Sequence, residues 1–598
     1  MSVSRALHIQ LEQREPRRRL ALRAVALAVT TAAALCTVAL ARPVPAVADS
    51  MVDEVEQAIE VYGPAGDART GAATDTDDPD AFIEGLIRAL ASASEEPRPI
   101  SLHDAIRSAV GNNPGIVASS RIPDSVREEI LEALAAYEVS IDLDSGYTKN
   151  KVPTSDILLG VGVLGTLESD EYDANLGVSK QLRTGAQLGL RWQNLRRTSN
   201  SNRQIFSPRF DTTVGMRIQQ PLLDNFGGID ARTTVMVSEN SSHRAVADFE
   251  SLLADFVTNV TIAYWNYSLA QADLDVARHS LKLADELVDD ARARVEVGTL
   301  PPVAIKEAQA DAAGREEQVI AASNELDLAA RTLQYAVMFG LDSVGAPLPV
   351  KPIQAHTVEK LGLDRAVSLR MAVDKRSEVR AARLLVDSAR LEQRRSRNKL
   401  LPSLDVVGSY ELVGLGGRES VDVFPGPDQF TDEVDAYGES IDALTSRDFF
   451  RYSVGLQLDI PLANASARSQ HTQAEIELRR SRDDLRQVVS DIALEIEDAV
   501  GDVASAYKRV SAARLARELA EENLDNQQKR FDVGMVTTTD ILIFQDNLAT
   551  AMAAEARAIF DHAVAATTLL RAEGTLLENH GIDVRYEDTP KRPWWARF

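Results

Sequence analysis

Cysteine is almost absent from this sequence. The single cysteine among 598 residues is Cys36, and Leu35 precedes it where a lipid-attachment site would need a small residue. One thiol cannot form an intrachain disulfide, so we expect no disulfide framework and no thiol chemistry. Aromatic residues are scarce at 5%, and with abundant alanine this scarcity is typical of long helices exposed to water.

Basic residues are too few to balance the acidic ones. The chain has 65 Lys and Arg against 90 Asp and Glu, a formal net charge of -25. Such an acidic surface repels a phosphate backbone, so we expect no nucleic-acid partner. The histidines show no metal-ligand spacing, and no catalytic constellation occurs in the sequence. The sequence therefore predicts no cofactor, no metal site and no enzymatic activity.

Long apolar runs are missing beyond the N-terminal segment. Residues 1–48 combine several arginines, an apolar run from Ala24 to Leu40 and the triplet Ala46-Val47-Ala48, a pattern typical of a signal peptide cleaved after Ala48. No later run reaches the roughly 18 apolar residues of a transmembrane helix. Residues 49–100 are acidic and rich in small residues, which indicates a flexible extension. The chain is predicted to be exported.

A long apolar seam is the dominant pattern that is present. From Leu253 to Val295 an apolar or small residue recurs at alternating steps of three and four, which predicts a coiled-coil helix of about six heptads. The same seam returns in the same phase from Val489 to Phe531, with polar breaks at Arg517 and Gln527. The sequence therefore contains a duplicated long helix.

Each seam ends in the same short motif. Arg294-Val-Glu-Val-Gly298 closes the first copy and Arg530-Phe-Asp-Val-Gly534 closes the second, and a new helical pattern follows each one. Glycine just past a helix marks a tight reversal, so we expect antiparallel helical hairpins at about 235–340 and 464–577, with a first arm near 90 Å. The repeats then cover 101–350 and 351–580, followed by a C-terminal tail at 581–598.

Period-two alternation precedes each hairpin. Four segments, at about 137–147, 210–220, 404–412 and 452–460, have one apolar and one polar face. This fits a transmembrane barrel wall, although a soluble half-buried sheet shows the same alternation. Four strands cannot close a barrel, and lipid does not tolerate open edges, so several chains must contribute. A further alternating pair near 174–192 predicts a hairpin above the membrane.

The duplicated order of helix, strands and long hairpin, with its two tip motifs, resembles the TolC family of outer-membrane efflux channels over about residues 101–581. The resemblance implies a mixed α/β membrane protein in which three chains form a twelve-stranded β-barrel in the outer membrane lipid. The hairpins then form an α-barrel across the periplasm of a Gram-negative-type bacterium. It also implies a periplasmic adaptor (membrane fusion) protein at the helical tips and an inner-membrane pump of the RND or ABC type.

The resemblance also points to a gate at the tips. Family members close this end with networks that include two inward aspartates; Asp540 matches the first position, and Ile543 occupies the second. The tyrosine and arginine of the family's closing links fall on Phe531 and Val536. We expect closure by apolar contact and a ring of Asp540 carboxylates, although Asp540 also suits an ordinary helix start. The expected adaptor contacts are Val297, Gly298, Thr299, Val533, Gly534 and Met535.

The resemblance thus implies a passive conduit through which substrate diffuses while a partner pump supplies the energy. An acidic lumen should prefer cations. The main alternative is a structural coiled-coil protein of the periplasm without channel activity, which could be extracted by salt or alkali. An exported enzyme is disfavoured because no catalytic pattern is present.

Overall fold

A computed structural model describes residues 97–153, 165–201, 204–298, 300–338, 348–360, 362, 364–419 and 436–586. The expected signal peptide, most of the acidic extension and residues 587–598 lie outside the described residues. The helices are α1 (Leu102–Asn112), α2 (Pro114–Ser120), α3 (Ile122–Leu134), α4 (Ile229–Glu296), α5 (Val303–Val337), α6 (Arg365–Lys375), α7 (Ser377–Asn398), α8 (Ala436–Ser446), α9 (Ala465–Asp532), α10 (Thr538–Ala572) and α11 (Leu576–Asn579). The strands are β1 (Arg98–Ile100), β2 (Val139–Pro153), β3 (Thr166–Gln181), β4 (Gln187–Ser199), β5 (Phe206–Pro221), β6 (Val350–Pro352), β7 (Ser403–Glu419) and β8 (Phe450–Asp459).

Two long helices carry the duplicated seam. Helices α4 and α9 each contain 68 residues, which at 1.5 Å per residue is about 100 Å. They begin at Ile229 and Ala465, 236 positions apart, and they end with the same spacing at Glu296 and Asp532. The duplication predicted from the sequence is therefore present in the structure.

The returning helices are much shorter than the helices that they follow. Helices α5 and α10 have 35 residues each, so each hairpin pairs only about half of its long helix. Helices α3 and α7 pack along the remaining part of α4, and α7 also packs against α9. Among the described residues, no helix combines the length and the apolarity required to cross a membrane.

The four long helices lie side by side in the order α9, α10, α4, α5. Helix α10 joins the two hairpins because it packs against both its own partner α9 and the first long helix α4. The outer members of this layer, α9 and α5, expose large apolar side chains on their surfaces, including Leu494, Leu515, Ile320 and Leu328. The layer of helices therefore ends on each side in a helix with exposed apolar side chains.

A hydrophobic core packs around the middle part of α4, from Leu253 to Ala270, and includes α1 and the end of α5. Strands β1 and β6 pair in parallel there, and the hydroxyl of the fully buried Tyr264 donates to the Ile100 carbonyl at 3.2 Å. Residues 98–100 are therefore ordered, although they fall at the end of the segment expected to be flexible. The start of the expected tail is also docked: the Tyr586 hydroxyl donates to the Ser120 carbonyl at 2.9 Å.

Six antiparallel strands form the main sheet, in the order β2-β3-β4-β5-β7-β8. The four predicted strands are present, and β2, β5 and β7 are longer than expected. The expectation of a separate hairpin above the membrane near 174–192 is wrong, because β3 pairs with β2 and β4 pairs with β5 along most of their lengths. Alternation reveals which residues share a face but not which strands are neighbours. The main sheet of the described chain therefore has six strands rather than the four predicted.

Helix α8 packs on one face of the sheet, near the end that lies away from the long helices. Two glycines of β7 permit this close approach: a Cβ at Gly414 would lie 1.9 Å from the Ser440 carbonyl oxygen, and one at Gly416 would lie 2.4 Å from that of Ala436. The Thr212 and Ser440 hydroxyls are 3.0 Å apart and share a hydrogen bond. The helix is thereby fixed to the central strands β5 and β7.

Candidate functional site

One face of the six-stranded sheet carries a continuous apolar band. The strand registers place its members on the same side. Most of the large ones are exposed in the single chain, with Val454 at 79%. We call this set the apolar band, and its members are Val139, Ile141, Leu143, Tyr147, Tyr172, Ala174, Leu176, Val178, Leu188, Leu190, Trp192, Val214, Met216, Ile218, Leu404, Val406, Tyr410, Leu412, Phe450, Tyr452, Val454, Leu456 and Leu458. Such a surface is much larger than the apolar patches of soluble proteins.

The opposite face of the sheet is polar and charged. One row of directly opposed residues crosses all six strands and alternates charged residues with glycine until its last two positions. We call it the charged row, and it comprises Asp142, Gly177, Arg191, Gly215, Glu411 and Arg451. Arg191 Nη2 lies 3.7 Å from Asp142 Oδ2, and Arg451 Nη1 lies 3.4 Å from Glu411 Oε2. The sheet therefore separates an apolar surface from a water-compatible one.

The tips of the two hairpins are sharp turns built on glycine. Gly298 has φ +81° and Gly534 has φ +76°, a left-handed conformation that glycine adopts without the penalty of a Cβ. Val297, Val533 and Met535 next to them are exposed, with Met535 at 76%. The expected contact residue Thr299 lies outside the described residues. Five of the six expected adaptor contacts thus lie on the exposed tips.

Arg294 fastens the first tip to the second. Its Nη1 donates to the Phe531 carbonyl at 2.9 Å, and its Nη2 lies 2.9 Å from Asp532 Oδ1. The guanidinium also stands 4.4 Å from the centre of the Phe531 ring, and its Nε lies 2.7 Å from Asp290 Oδ2. One side chain of α4 therefore holds the C-terminal end of α9 through three kinds of contact.

The expected gate residues occupy two different environments. Phe531 is 1% exposed and forms a cluster with Leu287 and Ile541, against which Val536 packs. In contrast, Ile543 is exposed on the surface of α10. The structure thus places Phe531 and Val536 in the contact between the hairpins rather than on a free surface.

Asp540 forms a capping box with Thr537 at the start of α10. Its Oδ2 accepts from the Thr537 backbone nitrogen at 2.8 Å and from the Thr537 hydroxyl at 2.7 Å. These two hydrogen bonds hold the pKa of the Asp540 carboxyl below its usual value. The side chain is therefore charged at neutral pH, and it serves the ordinary helix-start role considered in the sequence analysis.

A network of charged residues centred on two buried arginines joins the two repeats. Arg571 of α10 pairs with Asp255 of α4 at 2.6 Å and with Glu378 of α7 at 2.7 Å. Arg376 pairs with the same Glu378 at 2.8 Å and also with Glu495 of α9. Burial alone would raise the pKa of the Glu378 carboxyl, but the two guanidinium groups outweigh it and hold that pKa well below its usual value.

No sequence signal identified this network, because its members are up to 316 positions apart. The Arg294 contact did leave a signal, since an arginine occupies the same position of both tip motifs, but nothing indicated its partner. Across the described ranges, no group of three or more His, Cys, Asp or Glu side chains is arranged to hold a metal ion.

Comparison with known proteins gives a consistent set of relatives. The sequence model of the outer membrane efflux protein family matches residues 185–337 and 369–575. The chain is 24% identical over 372 residues to the outer membrane efflux protein BepC of Brucella suis, covering 61% of this chain and 72% of that one. It is 23% identical over 402 residues to the outer membrane protein TolC of Vibrio cholerae, covering 65% and 83%. In structure it resembles the CmeC outer membrane channel of Campylobacter jejuni, with a TM-score of 0.55, 14% identity and coverage of 82% and 91%.

Proposed function

The chain belongs to the outer membrane efflux protein family and resides in the outer membrane, and from this premise we propose that three copies form the exit duct of a tripartite export system. Its relatives are channel proteins rather than enzymes. Solutes would move passively through the duct, and an inner-membrane pump of the RND or ABC type, linked by a periplasmic adaptor, would supply the energy. The apolar band is the observation that carries this proposal.

The dimensions of the apolar band support a membrane-spanning wall. On β8 the band runs from Phe450 to Leu458, and nine residues tilted by about 40° span about 20 Å of membrane depth. That height is close to the roughly 25 Å apolar belt of outer-membrane barrels. The polar face would line the lumen. A soluble sheet would instead have to cover this band with other protein.

The open edges support a closed ring of chains. Within the part of the chain that the structure describes, the sheet ends at β2 and β8 without a further paired strand, and lipid does not tolerate such edges because their backbone groups would lack hydrogen-bond partners. The helical layer ends in α5 and α9, both with exposed apolar side chains. Both pairs of edges are completed when β8 and α9 of one chain meet β2 and α5 of the next.

The tips would carry the gate and the docking site for the adaptor. We assign Phe531 and Val536 to the apolar contact that holds the hairpins together, and Asp540 and Ile543 to the surface that faces the opening. The exposed tip residues Val297, Gly298, Thr299, Val533, Gly534 and Met535 would contact the adaptor. Oδ2 of Asp540 makes the capping hydrogen bonds. The three Asp540 carboxylates of a trimer would also form a ring of negative charge, which would favour the passage of cations.

Single-channel recording tests this function. Detergent-purified chain from Asp49 to Phe598 in a planar bilayer should give uniform, cation-selective openings that a trivalent cation on the tip side blocks. The Asp540→Asn variant should lose that block, and unchanged block would remove Asp540 from the gate. Absence of any conductance, together with release from membranes by alkali without detergent, would favour the structural coiled-coil alternative.

A further inference from the structure

Strands β3 and β4 form a hairpin that lies inside the wall of the sheet. We propose that three chains close an eighteen-stranded barrel, six strands from each, instead of the twelve strands that the family resemblance implies. Strand β8 of one chain would pair with β2 of a second copy. This proposal rests on the proposed trimeric channel, and it specifies the number of strands and therefore the width of the pore.

The hairpin contributes to both faces of the wall. It supplies Leu176 and Val178 from β3 and Leu190 and Trp192 from β4 to the apolar band, in register with the band residues of β2 and β5. A hairpin projecting into water would have no reason to keep its apolar residues in the same rows as its neighbours. The apolar band is continuous only when β3 and β4 are part of it.

The charged row provides a second argument, from the opposite face. Asp142 of β2 reaches Arg191 of β4 across the intervening Gly177 of β3. A Cβ at position 177 would lie 2.3 Å from Asp142 Oδ2, so glycine leaves the space that the carboxylate occupies. The edge strand β2 and the inserted hairpin are therefore joined by the ion pair of Asp142 and Arg191. Without the hairpin, Asp142 would lose this partner.

The directions of the strands permit closure. Because all neighbours in the sheet are antiparallel and the number of strands is even, β8 and β2 run in opposite directions and can pair antiparallel across a chain boundary. The band also descends across the sheet: it is centred near Leu143 on β2 and on Val454 on β8, and Val454 lies in the row of Val139. This drift is the stagger that tilted strands require in a closed barrel.

The extra hairpin has a consequence for what the duct carries. Barrel diameter grows roughly linearly with strand number, so eighteen strands enclose about 1.5 times the diameter of twelve. Barrels of about 16 to 18 strands leave an open aqueous channel. The outer-membrane section of this duct would therefore admit bulky hydrated solutes, and the helical tunnel, not the barrel, would limit their size.

Cysteine labelling tests whether the hairpin is in the wall. In a Cys36→Ser background, Leu190→Cys and Gln193→Cys place a thiol on opposite faces of β4, at two positions that are both exposed in the single chain. A membrane-impermeant maleimide should label Gln193→Cys in reconstituted vesicles and spare Leu190→Cys, and detergent should make both react. Equal labelling of both in the membrane would place the hairpin outside the wall and overturn the proposal.

Excision of the hairpin tests the width. Deleting residues 154–205 and joining β2 to β5 by a short glycine-serine loop removes two strands, which keeps the alternation of direction and of faces. Neutral polymers added to the barrel side should enter the full-length pore at diameters about 1.5-fold larger than they enter the variant. An equal size limit would refute the eighteen-stranded barrel. If neither protein conducts, the channel function itself fails; if only the variant fails to assemble, the labelling pattern decides.

Discussion

The fastening of the two tips by Arg294 leads to a quantitative prediction. The variant Arg294→Ala removes an ion pair to Asp532, a hydrogen bond to the Phe531 carbonyl and a cation–π contact with the Phe531 ring. The ion pair is weak, about 0.5 kcal/mol, because the Asp532 side chain is 60% exposed. The hydrogen bond and the ring contact add about 1 and 0.5 kcal/mol.

The total of about 2 kcal/mol corresponds to about a 30-fold shift toward separated tips. If the closed state depends on this contact, the open probability of single channels should rise by up to that factor, and cells carrying the variant should take up excluded antibiotics. Cryo-electron microscopy of the variant would show whether the ends of α4 and α9 have moved apart.

The second repeat supplies a matched control. Arg530 occupies the same motif position as Arg294 and is exposed, and across the described residues it holds no ion pair with the first tip. Arg530→Ala removes the same charge at the same distance from the tip glycine, and it should leave the open probability within about twofold of that of the unmodified channel. If both variants opened the channel equally, the effect would come from lost positive charge, and the fastening argument would be wrong.

Three further predictions concern the tips, the buried network and pH. Val533→Arg should abolish export without lowering trimer yield, whereas the exposed control Glu497→Arg, near the middle of α9, should leave export intact; normal export by both would remove Val533 from the adaptor contact. Glu378→Gln removes the charge that Arg376 and Arg571 share, while Glu495 and Asp255 still pair with them, and should cost about 2 kcal/mol in thermal unfolding, against less than about 0.5 kcal/mol for the exposed Asp387→Asn on the same helix. Burial, and next the neighbouring His562 imidazole, lower the pKa of His356 to about 4. The unfolded chain therefore binds more protons than the folded chain between about pH 6.5 and 4, and the free energy of unfolding should fall by about 1 kcal/mol as the pH is lowered across that range. A His356→Phe variant with the same pH slope would contradict this.

Local periodicity carried most of what could be predicted from the sequence. The ends of α4 and α9 follow from where the heptad seam stops at Gly298 and Gly534, and the glycines themselves specify the turns. The face of each strand follows from alternation. Beyond residue 147 that alternation weakens because Lys149 and Lys151 replace apolar residues, and the expected end of β2 was therefore too early.

Contacts between distant segments could not be predicted in the same way. Nothing local distinguishes a hairpin beside the wall from a hairpin within it, because both alternate identically; only the pairing of β3 with β2 and of β4 with β5 decides. Likewise Arg294 and Arg530 look equivalent in their motifs, and only the fold brings one of them to Asp532. Single-residue roles at the tips therefore depend on tertiary geometry that the repeat pattern does not contain.

The matched ends of α4 and α9 mean that neither repeat can change the reach of the duct by itself. Seven residues inserted into α4 alone would move its tip by about 10 Å and carry Arg294 past Asp532. The same insertion would have to occur in α9, in both returning helices, and in whole heptads to keep the seams in phase. The reach of the helical tips beyond the sheet is thus fixed jointly by four helices, and it can change only in steps that all of them share.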